Sequence, residues 1–501
     1  MRKISLTLLF VISISSALLS QSGYLPLHRD LELMRLSSST PAKNFHPSTH
    51  PWRLADLPAD SSHLSLSQPP AKIRLQPLLQ LTTGAGTGYF LHATPGAALS
   101  WNPGPRLNLS LRYRAGLFRL PPGESFTADS GYIPHYGASL HDYGKGMQLM
   151  QDLTGYLSWS PLPSINLQLG IDRNFWGEGY RSLFLSDNAA AYPFLKTTLA
   201  AWHIRYVSLL TFLQDVDLPG NIKRLHPKYT ALHYLSWDVN EKINLALFES
   251  VIWRGNDSSM FRGFDIQYIN PAVFYRPIEF SIGSPDNVLL GLAGSLGITR
   301  NSRFYGQFLL DEFVLKRMLK EHDWWANKWG IQLGLRTKDA FGLEGLHLLM
   351  EVNSVRPYTW SHSSTLRSFG YLYQPMAHPL GANFREGILN MKYLKEKHLF
   401  SASIIFQQAG TDSSSGSYGG DIYKTYDLRF SDLGNHTLQG VKRERMLIDL
   451  HYSRMLIPAW DLVLELGGLA RLPTGNNRES SAGYLYISLK TLLNNDEHFR
   501  Y

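Results

Sequence analysis

The residues best equipped for chemistry lie in Arg173-Asn174-Phe175-Trp176-Gly177-Glu178-Gly179-Tyr180-Arg181, continued by Ser186-Asp187-Asn188-Ala189 and Tyr192-Pro193. Aromatic rings alternate there with guanidinium, carboxylate and amide groups. Rings stack on sugar faces, while planar polar groups bond vicinal hydroxyls or acidic sugars. The composition therefore suits carbohydrate, and Trp176, Arg181, Asp187 and Asn188 are the candidate glycan contacts. A loop packed into a larger scaffold would show the same residues, so both readings stand at this level.

Other polar stretches read as structural. In Phe261-Arg262-Gly263-Phe264, Tyr268-Ile269-Asn270-Pro271 and Tyr275-Arg276-Pro277-Ile278-Glu279, Asn270-Pro271 favours a turn, and Arg276 with Glu279 forms an expected internal ion pair. Asp311 and Glu312 are adjacent carboxylates, but neighbours on a strand point to opposite faces. Arg356-Pro357-Tyr358-Thr359 and His378-Pro379-Leu380-Gly381-Ala382-Asn383 complete the set. His378 is the most ligand-like histidine. No His or carboxylate accompanies it at metal spacing, so a hydrogen-bonded structural role is expected. Asn270, Arg276, Glu279, Asp311, Arg356, His378 and Asn383 are thus a structural motif, and neither metal nor cofactor is expected.

Catalytic signatures are missing from the chain. It has no His-Glu-x-x-His, no Gly-x-Ser-x-Gly elbow, no phosphate loop and no cysteine. Asp449, His451 and Ser453 share a strand face but lie in line along it, whereas a triad needs convergence. A non-enzyme with no catalytic residue is expected. An outer-membrane hydrolase is the enzyme-class alternative, and a passive pore a third reading.

The elements that must position these residues announce themselves by a repeated hairpin. Ser100-Trp101 precedes Leu107-Asn108-Leu109, Ser158-Trp159 precedes Ile165-Asn166-Leu167, and Ser236-Trp237 precedes Ile243-Asn244-Leu245. An aromatic at a strand end beside a tight turn suits a membrane–water boundary. Apolar and polar residues alternate strictly over Arg106–Arg114, and an apolar face recurs at every second residue over Met446–Ser453, Leu462–Gly467 and Leu485–Lys490, with Leu447 and Val463 on the other face. Period-2 alternation over roughly ten residues is the length of a tilted membrane strand. Tight turns near 101–106, 159–164, 237–242 and 457–461 alternate with long connections over 116–148, 174–199, 253–287, 354–386 and 408–444. About seventeen such segments predict an all-β transmembrane antiparallel barrel of 16 or 18 strands, since closed single-chain barrels favour even numbers. A large soluble β-sandwich is the competing fold.

Arg2 and Lys3 followed by an apolar run from Ile4 to Leu19 read as an export signal over residues 1–20. Its removal lowers the formal charge from +8 to about +6. Residues 21–71 look irregular and Ser/Pro-rich, a periplasmic or plug segment, and 72–501 the barrel. With 12% aromatic and 18% charged residues, the composition fits lipid-facing girdles. The basic pI of about 9.3 favours anionic partners such as outer-membrane lipopolysaccharide; an exported barrel meets no nucleic acid. Terminal Tyr501 fits a last strand read by barrel-assembly machinery.

The stretches Phe175–Gly179, Ser186–Ala189, Tyr268–Pro271, Asp286-Asn287, Gly306-Gln307, Asp311–Phe313, Arg356–Thr359 and His378–Asn383 together resemble the capsule-assembly Wzi family of outer-membrane proteins. Within it they look like the branch of the gliding-motility protein RemB. The resemblance implies 18 strands, a lumen filled by inward loops, and a lectin-like role holding capsule or exopolysaccharide at the cell surface. For the motility branch it implies a gliding or surface-adhesion component. The Pro/Ser-rich N-terminal segment departs from the family, where helices would be expected.

Overall fold

A computed structural model describes residues 23–36, 46–56, 73–119, 132–133, 138–144, 146–216, 225–257, 260–261, 263–264, 268, 286–311, 320–413, 416–474 and 480–492. They form an all-β closed antiparallel barrel of eighteen strands, the larger of the two expected sizes. In chain order these are β1 (Ile73–Leu78, resumed at Gln80–Gly86), β2 (Tyr89–Ala93, resumed at Gly96–Gly104), β3 (Leu107–Arg119), β4 (Met147–Leu162), β5 (Ile165–Asp172) and β6 (Tyr192–Ala201). Next come β7 (Ile204–Val216), β8 (Leu225–Asp238), β9 (Ile243–Arg254), β10 (Asn287–Gly297), β11 (Ser302–Asp311) and β12 (Trp329–Thr337). The last six are β13 (Leu346–Val355), β14 (Phe384–Lys395), β15 (His398–Thr411), β16 (Val441–Ile457), β17 (Leu462–Pro473) and β18 (Ala482–Thr491).

Closure joins β18 to β1, with Lys490 opposite Gln80 and Tyr484 opposite Gly86. No strand edge is left, the condition for crossing hydrocarbon with strands. The period of two shows in the burial of the last strands. On β17, Leu466 faces out and Glu465 in; on β18, Leu485 and Ile487 face out and Ser488 in. The outer surface is therefore an apolar belt, and polar side chains line the inside.

The repeated hairpin has a physical cause. Trp101, Trp159 and Trp237 stand on the outside at 38%, 48% and 41% exposure, whereas Asn108, Asn166 and Asn244 are buried inside. Each asparagine amide bonds back across its turn. Asn166 Nδ2 donates to Ser158 Oγ and Ser160 Oγ, both at 2.9 Å, and Asn244 Nδ2 to Ser236 Oγ at 2.8 Å and Asp238 Oδ1 at 2.7 Å. Asn108 bonds Asn102 in the same way. One motif thus supplies the outer ring and the inner clamp of a short turn.

Short turns gather on one rim and long connections on the other. The N-terminal segment packs at the short-turn rim, and among its described residues is one helix that the Ser/Pro-rich composition did not announce. Arg29–Leu36 is an α-helix (α1), with Asp30 and Glu32 in its first turn. His28 Nδ1 accepts from the Asp30 and Leu31 amides at 3.2 and 3.4 Å, doing the work usually given to Ser, Thr, Asp or Asn. Leu31 and Leu25 bury against Met455, Val463 and Leu492 of the wall and its edge.

Candidate functional site

The first candidate stretch turns inward. After β5 the chain enters the lumen, where Phe175-Trp176 pairs with Thr49-His50 of the N-terminal segment as a two-stranded sheet. Trp176 is 1% exposed and lies against Tyr234 and Phe248 at ring separations of 5.6 and 6.2 Å. Phe184 stacks on Phe248 at 4.6 Å with the planes 4° apart. Gly291 makes this possible, because a Cβ there would lie 2.4 Å from the Phe184 ring. Leu183, Leu185 and Ala190 join the same apolar cluster as Trp360, Phe369 and Met376 from the 356–383 connection. The inward loops therefore share one hydrophobic core with the inner face of the barrel wall.

A polar network occupies the middle. Glu351 of β13 accepts from the Tyr180 and Arg181 amides at 2.8 and 3.1 Å and from Tyr305 Oη at 2.8 Å. Glu386 of β14 accepts from Arg181 Nε at 3.4 Å, Gln407 Nε2 at 2.8 Å and Asn353 Nδ2 at 3.2 Å. His378 Nε2 is 2.9 Å from the same Glu386 carboxylate. Burial holds the His378 imidazole below its ordinary value, although Glu386 pulls the other way.

The predicted residues that the structure describes can now be placed. Trp176, Arg181, Asp187 and Asn188 are all buried plug groups: Arg181 pairs with Glu386, and Asn188 Nδ2 donates to the Pro375 carbonyl at 2.8 Å. This geometry does not present their side chains on an outer surface, so the glycan assignment gains nothing from it. Asp311 Oδ2 accepts from the Trp360 amide at 2.5 Å. Arg356 Nη2 donates to the Asn435 carbonyl at 3.1 Å. Asn383, with φ of 57°, is a knot: its amide donates to the Gly410 and Gln439 carbonyls at 2.8 and 2.9 Å, and its Oδ1 accepts from Leu438 N at 2.7 Å. Asn270, Arg276 and Glu279 lie outside the described residues. Asp449, His451 and Ser453 face the lumen in line, and Ser453 Oγ donates to Glu465 Oε2 at 2.9 Å, not to His451.

Sequence reasoning missed a cluster on the long-loop rim. The connections before β12 and β16 close on each other through Trp325 N to Asp432 O at 2.9 Å and Asn435 N to Asp323 O at 2.8 Å. There the Arg429 guanidinium lies 4.3 Å over the Trp325 ring, and Tyr426 packs on the same ring at 4.6 Å. Asp427 and Asp432, 61% and 63% exposed, flank Arg429 at 3.9 and 2.7 Å. Phe430 is 54% exposed. The signal was in Trp324-Trp325 and Tyr426-Asp427-Leu428-Arg429-Phe430, whose alliance depends on two loops a hundred residues apart.

No family model matches the chain, and no curated protein matches it in sequence. Solved structures do match in fold. The chain is similar to Wzi, an outer-membrane protein involved in group 1 capsule assembly in Escherichia coli and described as a carbohydrate-binding β-barrel, with a TM-score of 0.58 at 11% identity over 93% of this chain and 99% of that one. Pseudomonas aeruginosa OprD matches with a TM-score of 0.44 at 9% identity over 83% and 94% of the two chains. Acinetobacter baumannii OccAB2 matches at 0.41, 10% identity, 84% and 96%. At these identities the likeness is one of fold: an eighteen-stranded barrel of the outer-membrane kind.

Proposed function

We propose that this chain is a non-enzymatic outer-membrane barrel that holds capsule or exopolysaccharide at the cell surface through its long-loop rim. The observation that carries this reading is the Trp325–Arg429–Tyr426 stack flanked by exposed Asp427 and Asp432. Rings stack on sugar faces, and the guanidinium and carboxylates bond vicinal hydroxyls. One guanidinium between two carboxylates favours a hydroxyl-rich sugar over a strongly anionic one. The carbohydrate binding described for Wzi supports the reading by likeness of scaffold. With short turns to the periplasm, as barrels of this kind orient, the rim faces outward.

A second reading, a surface-adhesion or gliding component, has its own observation on the same rim. Leu428, Phe430 and Leu433 are each more than half exposed, an apolar patch that a protein partner could cover. Both readings are separated by the division of polysaccharide between cells and medium in a strain carrying Trp325→Ala with Arg429→Ala. Release into the medium at unchanged total is expected. Unchanged division in cells with normal amounts of folded barrel overturns the carbohydrate reading and leaves the adhesion one.

A further inference from the structure

A second cluster, on the opposite half of the lumen, plays no part in that reading. Asp30 on α1, His451 on β16 and Glu465 on β17 bring one ligand-type atom each to within 4.8 Å of one another. His451 Nε2 lies 3.9 Å from Asp30 Oδ2 and 3.9 Å from Glu465 Oε2. That nitrogen is buried and has no hydrogen-bond partner among the described residues. An orphaned buried nitrogen costs free energy, so its direction calls for an explanation.

The surroundings supply one. The other ring nitrogen, Nδ1, is 2.6 Å from Asp449 Oδ1. A carboxylate only accepts, so Nδ1 carries a proton, and in the neutral ring the Nε2 lone pair is the one left facing the gap. A carboxylate behind a histidine in this way is the usual support of a metal-bound imidazole. Both other donors are oriented as well. Lys392 holds Asp30 Oδ1, leaving Oδ2 toward the histidine. Lys490 Nζ and Tyr486 Oη hold Glu465 Oε1, each at 3.1 Å, and Ser453 steadies Oε2.

We propose that Asp30, His451 and Glu465 bind one divalent transition-metal ion of the zinc class, which staples the N-terminal helix to the barrel wall. Three carboxylates, with Asp449 included, face two lysines, so the cluster with neutral imidazole carries one net negative charge, which favours a cation. A triangle with sides of 3.9, 3.9 and at most 4.8 Å is slightly wider than zinc's ~2.0–2.2 Å bonds require, and small rotations of the two carboxylates close it. Imidazole among the donors and only two carboxylates disfavour calcium, which takes six to eight oxygens. Burial against α1 gives the site a fastening role: Asp30 comes from the plug, the other two from the wall.

The test uses the full chain, purified in detergent, stripped with a chelator and titrated with zinc by calorimetry. Uptake of one ion per chain is expected, weakened at least tenfold by Asp30→Asn and by His451→Gln, and ~10–100-fold by Asp449→Asn. Hydrogen exchange over α1 is expected to slow when zinc is added. Asp30 lies on the plug and not in the wall, so its variant keeps the barrel intact where a wall variant fails to assemble. No stoichiometric uptake, uptake unchanged in Asp30→Asn, equal uptake of calcium, or α1 exchange indifferent to zinc each overturns the proposal.

Discussion

Arg181 shows why residue type alone did not separate a sugar contact from a plug contact. A guanidinium suits either a sugar or a carboxylate, and the group it meets, through Nε at 3.4 Å, is Glu386, some two hundred residues away and fully buried. Removing one member of a buried pair leaves an uncompensated charge, so Arg181→Met is expected to cost about 3 kcal/mol in urea unfolding from lipid vesicles. Adding Glu386→Gln is expected to recover much of that loss, because a neutral amide keeps hydrogen bonds without the charge. A double variant as unstable as the sum of its parts would mean the two groups act separately. His378, whose neighbours in sequence lack metal spacing, meets that same Glu386, a partner eight residues on that the spacing alone did not point to. His451 was not legible as a ligand, since Asp30 lies at the other end of the chain. Trp325 and Arg429 were missed for the same reason: their stack exists only after two long connections meet.

At the scale of elements, alternation was readable wherever one face meets lipid. Strands β3, β16, β17 and β18 keep the period of two, and each asparagine of the repeated hairpin is fixed by its own turn. The inward loops were unreadable in detail because tertiary contacts define them. Asn383 ties backbone from three parts of the chain, and Gly291 on the wall makes room for a ring on the plug. Helix α1 escaped notice because a histidine caps it. Loops packed into one apolar core with the inner wall should block passage. Wild-type barrel in planar bilayers is therefore expected to show little conductance, and deletion of 177–188 large steps. Gly291→Leu, which drives a side chain into the Phe184 position, is expected to fall between them by loosening the plug without removing it. A large open conductance in the wild type would restore the pore reading.

For the whole molecule, the N-terminal segment and the barrel are held together by charge as well as by apolar packing, and pH reaches that junction. Arg205 of β7 and Arg53 clasp Asp56 at 3.0 and 2.8 Å. Burial pushes the Asp56 carboxyl up, and the two guanidiniums more than reverse this, holding it below its ordinary range. His46 sits beside Ser236 Oγ at 2.8 Å, where burial and then Arg205 hold its imidazole down at about 3. Undocking would return both groups to ordinary values, roughly 6.5 for histidine and 3.9 for aspartate. The undocked segment then binds more protons than the docked one wherever pH lies between the two values. Docking is thus fully stabilised above about pH 6.5 and weakens as pH falls, through His46 first and Asp56 below about pH 4. Hydrogen exchange over residues 46–56 is expected to quicken, after correction for intrinsic rates, between pH 7 and pH 5. His46→Gln, which cannot gain that charge, is expected to flatten the change in this range. Exchange that stays constant, or quickens equally in His46→Gln, would show that the junction is held without regard to this imidazole.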